Sequence, residues 1–214
     1  MNRQSIWSDL SEQAKNRVHS VSQILEFKRG DLVYRAGEIS RGLYLVDKGL
    51  VGLNLVGLTG KEHLVRFFRA EQFFGHRALF SAQPYHASAI VLEPTRLKFV
   101  SKDDVFSILD SEPKAYRTVV RVLAEELRRC ELQHVSILEN EILSRTAMAI
   151  VYLKDLHSEH NWTRQEIANF CASTPSTIIK ALAELERRKL IRQDGRSIEV
   201  VDKDGLIALQ EQGL

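Results

Sequence analysis

The stretch from Thr163 to Lys180, T-R-Q-E-I-A-N-F-C-A-S-T-P-S-T-I-I-K, admits few structures. Thr163 is placed to cap a first helix, with Glu166 three residues on closing a capping box and Ile167 and Phe170 supplying apolar contacts. That helix is expected to end near Cys171. After the short link Ala172-Ser173-Thr174, Pro175 suits the first position of a second helix, where its missing N–H would have had no partner, and Thr174 becomes the cap. Ile178, Leu182 and Leu185 recur at i, i+4 and i+7 and predict a buried stripe, which leaves Ser176, Thr177 and Lys180 on the opposite face. A polar, cationic face at the start of a second helix is what enters a DNA major groove. The same residues also suit an ordinary helical hairpin with a solvated polar face.

The next residues of the chain favour the DNA reading. Leu190-Ile191 leads into Arg192-Gln193-Asp194-Gly195-Arg196 and then Ser197-Ile198-Glu199-Val200-Val201, and an Asp-Gly pair between apolar runs predicts a two-stranded wing. Between Thr163 and Arg196 the cations Arg164, Lys180, Arg187, Arg188, Lys189, Arg192 and Arg196 outnumber the anions Glu166, Glu184, Glu186 and Asp194 by three. Such a surplus favours phosphate contacts, which supply affinity without sequence information. The net charge of the whole 214-residue chain, +2, is too near neutral to make the case, so the argument is local.

The length suits one or two domains, and a 44% hydrophobic content supports a sizeable core. Cys130 and Cys171 lie in different predicted helices and match neither a disulfide framework nor a zinc motif. Two thiols do not by themselves hold an iron–sulfur cluster. The N-terminal residues M-N-R-Q-S-I-W-S-D-L lack the apolar core of a signal peptide, and no apolar run approaches the roughly 20 residues that span a bilayer. A soluble, reducing, cytoplasmic setting with no membrane partner is expected.

From about Ile24 to Val100 the chain is a series of short β-type runs set off by glycine turns. Leu32-Val33-Tyr34 precedes Ala36-Gly37-Glu38, Leu43 to Val46 precedes Asp47-Lys48-Gly49, Leu50 to Leu55 runs into the turn between Gly57 and Gly60, and His63 to Phe68 leads towards Gly75. This spacing predicts a mostly β sandwich, barrel or roll. From Glu112 the pattern becomes helical, with Pro113 in the first turn. Tyr116, Val120, Leu123, Leu127, Cys130, His134 and Ile137 fall at alternating spacings of four and three, a dimer seam of about three heptads. The alternative is a helix packed on the β domain. A further helix is expected over Ile142 to Leu156.

A β-roll, a long helix and a winged helix-turn-helix, in that order, resemble the Crp/Fnr family of bacterial transcription regulators. The resemblance runs from about Ile24 to Val201 and rests on R-G-D-L-V-Y-R-A-G-E, L-Y-L-V-D-K-G, F-G-x-x-A-L-F at Phe74 to Phe80, and T-R-Q-E-I-A. It implies an α+β chain with a cyclic-nucleotide-binding-like sensor roll and flanking helices at 1–111, a dimerisation helix at 112–139 and a winged helix-turn-helix at 140–214. It also implies a homodimer that binds a pseudo-palindromic promoter site and contacts RNA polymerase. Arg164, Thr174, Thr177 and Arg196 match positions that touch the phosphate backbone. Pro175, Ser176 and Lys180 stand where relatives commonly present Arg, Glu and Arg to a TGTGA-like half-site, so a different half-site is expected. Lys180 keeps a cation able to reach guanine.

The effector pocket implied by the resemblance comprises His76, Arg77, His86, Ala87, Cys130 and Glu131. Cyclic-AMP-binding relatives carry a glutamate for the ribose where this chain has His76, and an Arg-Ser pair for the cyclic phosphate where it has His86-Ala87. An imidazole beside an alanine does not replace the bidentate fork of arginine. Cys130 and Glu131 stand where small hydroxyl residues reach the adenine. Cyclic AMP dependence is therefore not expected, and no cofactor is assigned. His76 lies close to where carbon-monoxide-sensing relatives place a haem ligand, and His63, His76 and His86 are a second, loosely spaced metal possibility. Another small effector, or none, remains open. An enzyme built on the roll would need clustered His and carboxylate ligands, and the strands show no H-x-H or H-x-D pair, so catalysis is not expected. A ligand-binding or dimerisation module whose helix-turn-helix packs only on protein is the remaining rival.

Overall fold

Glycines at tight turns break the first half of the chain into strands short enough to close a roll. The computed structural model describes residues 10–211, and residues 1–9, expected to lack the core of a signal peptide, lie outside them. Strands β1 (Gln23–Phe27), β2 (Leu32–Tyr34), β3 (Gly42–Lys48), β4 (Leu50–Val56), β5 (Glu62–Arg69), β6 (Phe73–Phe74), β7 (Ser88–Val91) and β8 (Thr95–Ser101) form two antiparallel four-stranded sheets. One has the order β1-β8-β3-β6 and the other β2-β7-β4-β5. Gly49 shows why glycine sits between β3 and β4. Its φ is +102°, and a Cβ there would lie 2.3 Å from Thr95 Oγ1.

Val46, Leu97 and Phe74 from one sheet meet Val51, Leu53, Phe68 and Val91 from the other in the interior. A second apolar cluster lies outside the roll, where α1 (Glu12–Val21), α3 (Lys102–Ser111) and the first half of α4 (Pro113–Glu139) pack through Ala14, Val18, Val105, Ile108, Ala115, Val119 and Val122. Pairing of β4 with β5 shifts between Leu53↔Arg66 and Asn54↔Leu64, so Val65 is extra on its strand. That bulge resets the in-out alternation and leaves Arg66, Phe67 and Phe68 all buried.

The chain divides after Leu127 into two structural units. In the second, α5 (Ile142–Leu156), α6 (Arg164–Phe170), α7 (Pro175–Arg187) and α8 (Lys203–Glu211) are joined by a two-stranded wing of β9 (Ile191–Asp194) and β10 (Ser197–Val200). Ile150, Leu153, Trp162, Ile167, Ile178, Leu182, Leu185 and Leu206 form its core. The architecture is α+β, with a β-roll, a long helix and a winged helix-turn-helix in chain order. Among the described residues no helix is long and apolar enough to cross a membrane.

Candidate nucleic-acid interface and effector pocket

The helix-turn-helix is built by its caps. Thr163 Oγ1 accepts from the Glu166 amide at 3.1 Å and the Glu166 carboxylate accepts from the Thr163 amide at 2.8 Å, closing the expected box. The same carboxylate lies 3.3 Å from Nε2 of buried His160, which ties the start of α6 to the preceding loop. Thr174 caps α7, accepting from the Thr177 amide at 3.3 Å, and Pro175 takes the first helical position. Ala172, in the turn, has φ +52°, a left-handed conformation unusual for a residue with a Cβ.

Ile178, Leu182 and Leu185 are fully buried, and Ser176, Ile179 and Lys180 are exposed. The hydroxyls of Ser176 and Thr177 lie 3.0 and 2.8 Å from Thr174 Oγ1, so the polar start of α7 is organised before any partner arrives. Ile179 was not among the residues expected from the sequence. It is 54% exposed in the middle of the polar face, and helical periodicity alone marks it as lying off the buried stripe.

Arg164 differs from expectation. Its guanidinium donates to the Arg196 carbonyl and to Gln193 Oε1, both at 2.7 Å, while Glu186 accepts from the Gln193 amide at 2.6 Å and from its side chain at 3.0 Å. Arg164 thus clasps the wing turn to α6. Arg187 and Arg188 pair with Glu184, and Arg192 with Glu199. Apart from Arg164, the cations of this segment left without an ion-pair partner among the described residues are Lys180, Lys189 and Arg196.

In the roll, His76, Arg77, His86 and Ala87 line one small cavity with Tyr34, Leu53, Phe68, Gly75, Ala78 and Tyr85. Gly75, at φ +86°, makes the left-handed turn that starts α2 (His76–Ser81). The cavity holds about 20 Å³, room for a water molecule or so. The Tyr34 and Tyr85 rings, both in its lining, stack on each other with 3.6 Å between centroids. Burial, and then the charge of Arg77, push His86 below the ordinary histidine pKa against the pull of Glu126, so the imidazole is neutral at pH 7.

The structure describes Cys130 and Glu131 in the second unit and this cavity in the first. They are exposed on α4, and the helix residue that meets His76 and Arg77 is Glu126. His76 Nε2 lies 3.2 Å from Glu126 Oε2, so the nitrogen a haem would need faces a carboxylate. Among the described residues no three His, Cys, Asp or Glu side chains are grouped to hold a metal.

The predicted seam on α4 also divides. Val120 and Leu127 are 64% and 62% exposed, with Cys130, His134 and Ile137 exposed as well, but Tyr116 and Leu123 pack partly against their own unit's core. The exposed stripe is better traced through Val120, Ala124, Leu127, His134 and Leu138. The helix has two apolar faces, and spacing does not say which one the rest of its unit covers.

Residues 24–112 match the cyclic nucleotide-binding domain family, and residues 144–209 match the Crp-like helix-turn-helix domain family. The chain is 27% identical over 193 residues to a CRP-like cAMP-activated global transcriptional regulator of Mycobacterium tuberculosis, covering 86% of each. It is 28% identical over 200 residues to the transcriptional regulator SdrP of Thermus thermophilus, covering 89% of this chain and 96% of that one. Among solved structures, a CRP/FNR family transcriptional regulator from Thermus thermophilus superposes with a TM-score of 0.71 at 26% identity, covering 90% of this chain and all of that one. FixK2 from Bradyrhizobium japonicum shares the fold with a TM-score of 0.79 at 18% identity, covering 88% and 97%. With both halves matched in the order that the structure shows, the chain belongs to the Crp/Fnr family of transcription regulators.

Proposed function

We propose that the protein is a homodimeric, sequence-specific DNA-binding regulator that acts without cyclic AMP, in the cytoplasm, at pseudo-palindromic promoter sites where it contacts RNA polymerase. Residues 1–111 serve as the roll, 112–139 as the dimerisation helix and 140–214 as the DNA-binding segment. The observation that carries the DNA reading is the pre-organised, exposed face of α7, where Ser176, Ile179 and Lys180 stand clear of the buried stripe. Lys180 reads guanine or a phosphate and Ser176 contributes a less discriminating contact, while Ile179 suits a thymine methyl group. Thr174, Thr177 and Arg196 contact phosphate, Pro175 sets the start of the helix, and Arg164 holds the wing in place.

The relative from Mycobacterium tuberculosis is named as cAMP-activated. Against extending that to this chain stand the neutral His86 beside Ala87, and a cavity of about 20 Å³ lined by two stacked tyrosines. No catalytic role is proposed. Selection of bound sequences from a random duplex pool, with and without cyclic AMP, tests both parts. The expected result is one inverted-repeat motif, different from TGTGA, with the same affinity in both arms. Loss of all sequence enrichment would defeat the DNA reading, and saturable tightening by micromolar nucleotide would defeat the cyclic-AMP-independent one.

A further inference from the structure

Glu126 is the only charged side chain among the buried residues of α4, and it sits on a face otherwise made of Ala115, Thr118, Val119 and Val122. Its carboxylate is 1% exposed. Three groups from two other elements converge on it: Arg66 Nη2 from β5 at 2.6 Å, Arg77 Nε at 2.9 Å and His76 Nε2 at 3.2 Å, the last two from the first turn of α2. Taking a carboxylate out of water is costly, and a well-packed apolar side chain would stabilise such a face as well or better. The arrangement therefore specifies position more than it adds stability. The β5 bulge brings Arg66 inward, the left-handed turn at Gly75 presents His76 and Arg77 together, and α4 supplies the anion. His76 Nδ1, also buried, has no hydrogen-bond partner.

We propose that the roll carries a built anion site whose occupant is the protein's own Glu126 carboxylate. A tethered carboxylate stands where a dissociable anionic effector would have to bind to fix α4 against the roll. Because the anion belongs to the chain, its effective concentration is permanently high. The site needs nothing from solution, and the cavity beside it holds only about 20 Å³. Glu126 is thus a positioning residue for the helix that, in the regulator reading on which this consequence rests, sets the spacing of the two DNA-reading helices.

The test is chemical rescue in the full-length protein. Glu126→Ala leaves the two guanidiniums and the imidazole facing a hole the size of a small carboxylate. Melting temperature and affinity for the selected duplex are measured in tens of millimolar sodium acetate or formate, against sodium chloride at equal ionic strength. Wild type is expected to show no preference between the salts. The alanine variant is expected to melt lower and to bind DNA roughly tenfold more weakly or worse, a cost typical of a buried charge left unpaired. Both losses recover saturably with acetate or formate only. A variant equal to wild type, or one equally indifferent to carboxylate and chloride, overturns the proposal. Where the alanine variant does not fold, Glu126→Gln keeps the shape and removes the charge. It should melt lower and ignore acetate, and wild-type melting of this variant overturns the proposal as well. Carboxylate-specific recovery of melting in a protein with no DNA affinity would leave the anion site standing and remove only the regulator reading.

Discussion

Arg164 is a cation on the candidate DNA face, yet its fork is saturated by the wing: two carbonyls and one side-chain amide oxygen accept from it. Arg164→Ala should therefore act through geometry. Amides of Ile191 to Val200 should exchange faster, and affinity should fall on specific and random duplexes alike, with the salt slope little changed because no phosphate contact is removed. If the slope instead drops by about one unit with exchange unaltered, Arg164 touches phosphate directly. Two carboxylates of the roll respond to acid, Asp47, held below its ordinary value by Arg96 and Lys98, and Glu126, which is the buried one. Burial pushes its carboxyl up, but the hydrogen bond and charge of His76, with Arg66 and Arg77, outweigh this and hold it at about 2. A depressed folded-state pKa means a stabilisation present above the ordinary value of 4.5 and lost as pH falls from there towards 2. Melting of the wild type should drop through that window, and Glu126→Gln should flatten the drop while starting lower. Residues whose role is local were legible in the sequence: Thr163, Glu166, Thr174, Pro175 and Gly195 act on neighbours a few positions away. Glu126 was not, because His76 is fifty residues distant in the chain and no spacing rule joins them.

At the scale of the element, α7 carries the sequence reading and α4 shows where periodicity stops. The cap, the proline and the buried stripe fixed the start of α7 and its facing, because each rests on helix geometry alone. Two different contacts result from that facing. Lys180→Ala should cost about 1–3 kcal/mol at one base position if the ammonium meets guanine, or weaken all duplexes equally if it meets phosphate. Ile179→Ala should weaken only sites with thymine at the facing step, by about 1 kcal/mol, the order of one lost buried methyl contact. Replacing that thymine with uracil, which lacks the methyl, should reproduce the loss in wild type and add nothing to the variant. Equal affinity for the two duplexes in wild type would refute the contact. On α4 the apolar spacing was correctly read as a helix, and most of the expected seam is exposed. Tyr116 and Leu123 went the other way because α1 and α3 pack on an adjacent face, and that packing joins segments distant in sequence. Ala172 adds a smaller test of element geometry: with φ at +52°, Ala172→Gly should stabilise the second unit by about 0.5–1 kcal/mol, read as a higher melting temperature.

For the molecule as a whole, the question is how one chain of modest charge reaches a sequence-specific affinity. A single helix-turn-helix offers a few base contacts, and Lys180, Lys189 and Arg196, which have no ion-pair partner among the described residues, supply a limited electrostatic term. Two copies held at a fixed spacing bind one duplex with the second contact made effectively intramolecular. In the proposed dimer the pairing face is on α4, where Val120, Leu127 and Leu138 are 64%, 62% and 71% exposed. Burying each should contribute roughly 1.5–3 kcal/mol, and two-fold symmetry doubles the count. Leu127→Glu opposes this twice, removing the apolar contact and setting two carboxylates against each other across the axis. The substitution lies on an exposed position, so the fold of either unit should melt as before. Sedimentation should then find a dimer in wild type and a monomer in the variant. Wild type should bind the full inverted repeat far more tightly than a single half-site, whereas the variant should bind both with the same weak affinity. A Leu127→Glu protein that remains dimeric, or a wild type that gains nothing from the second half-site, would move the pairing surface off α4.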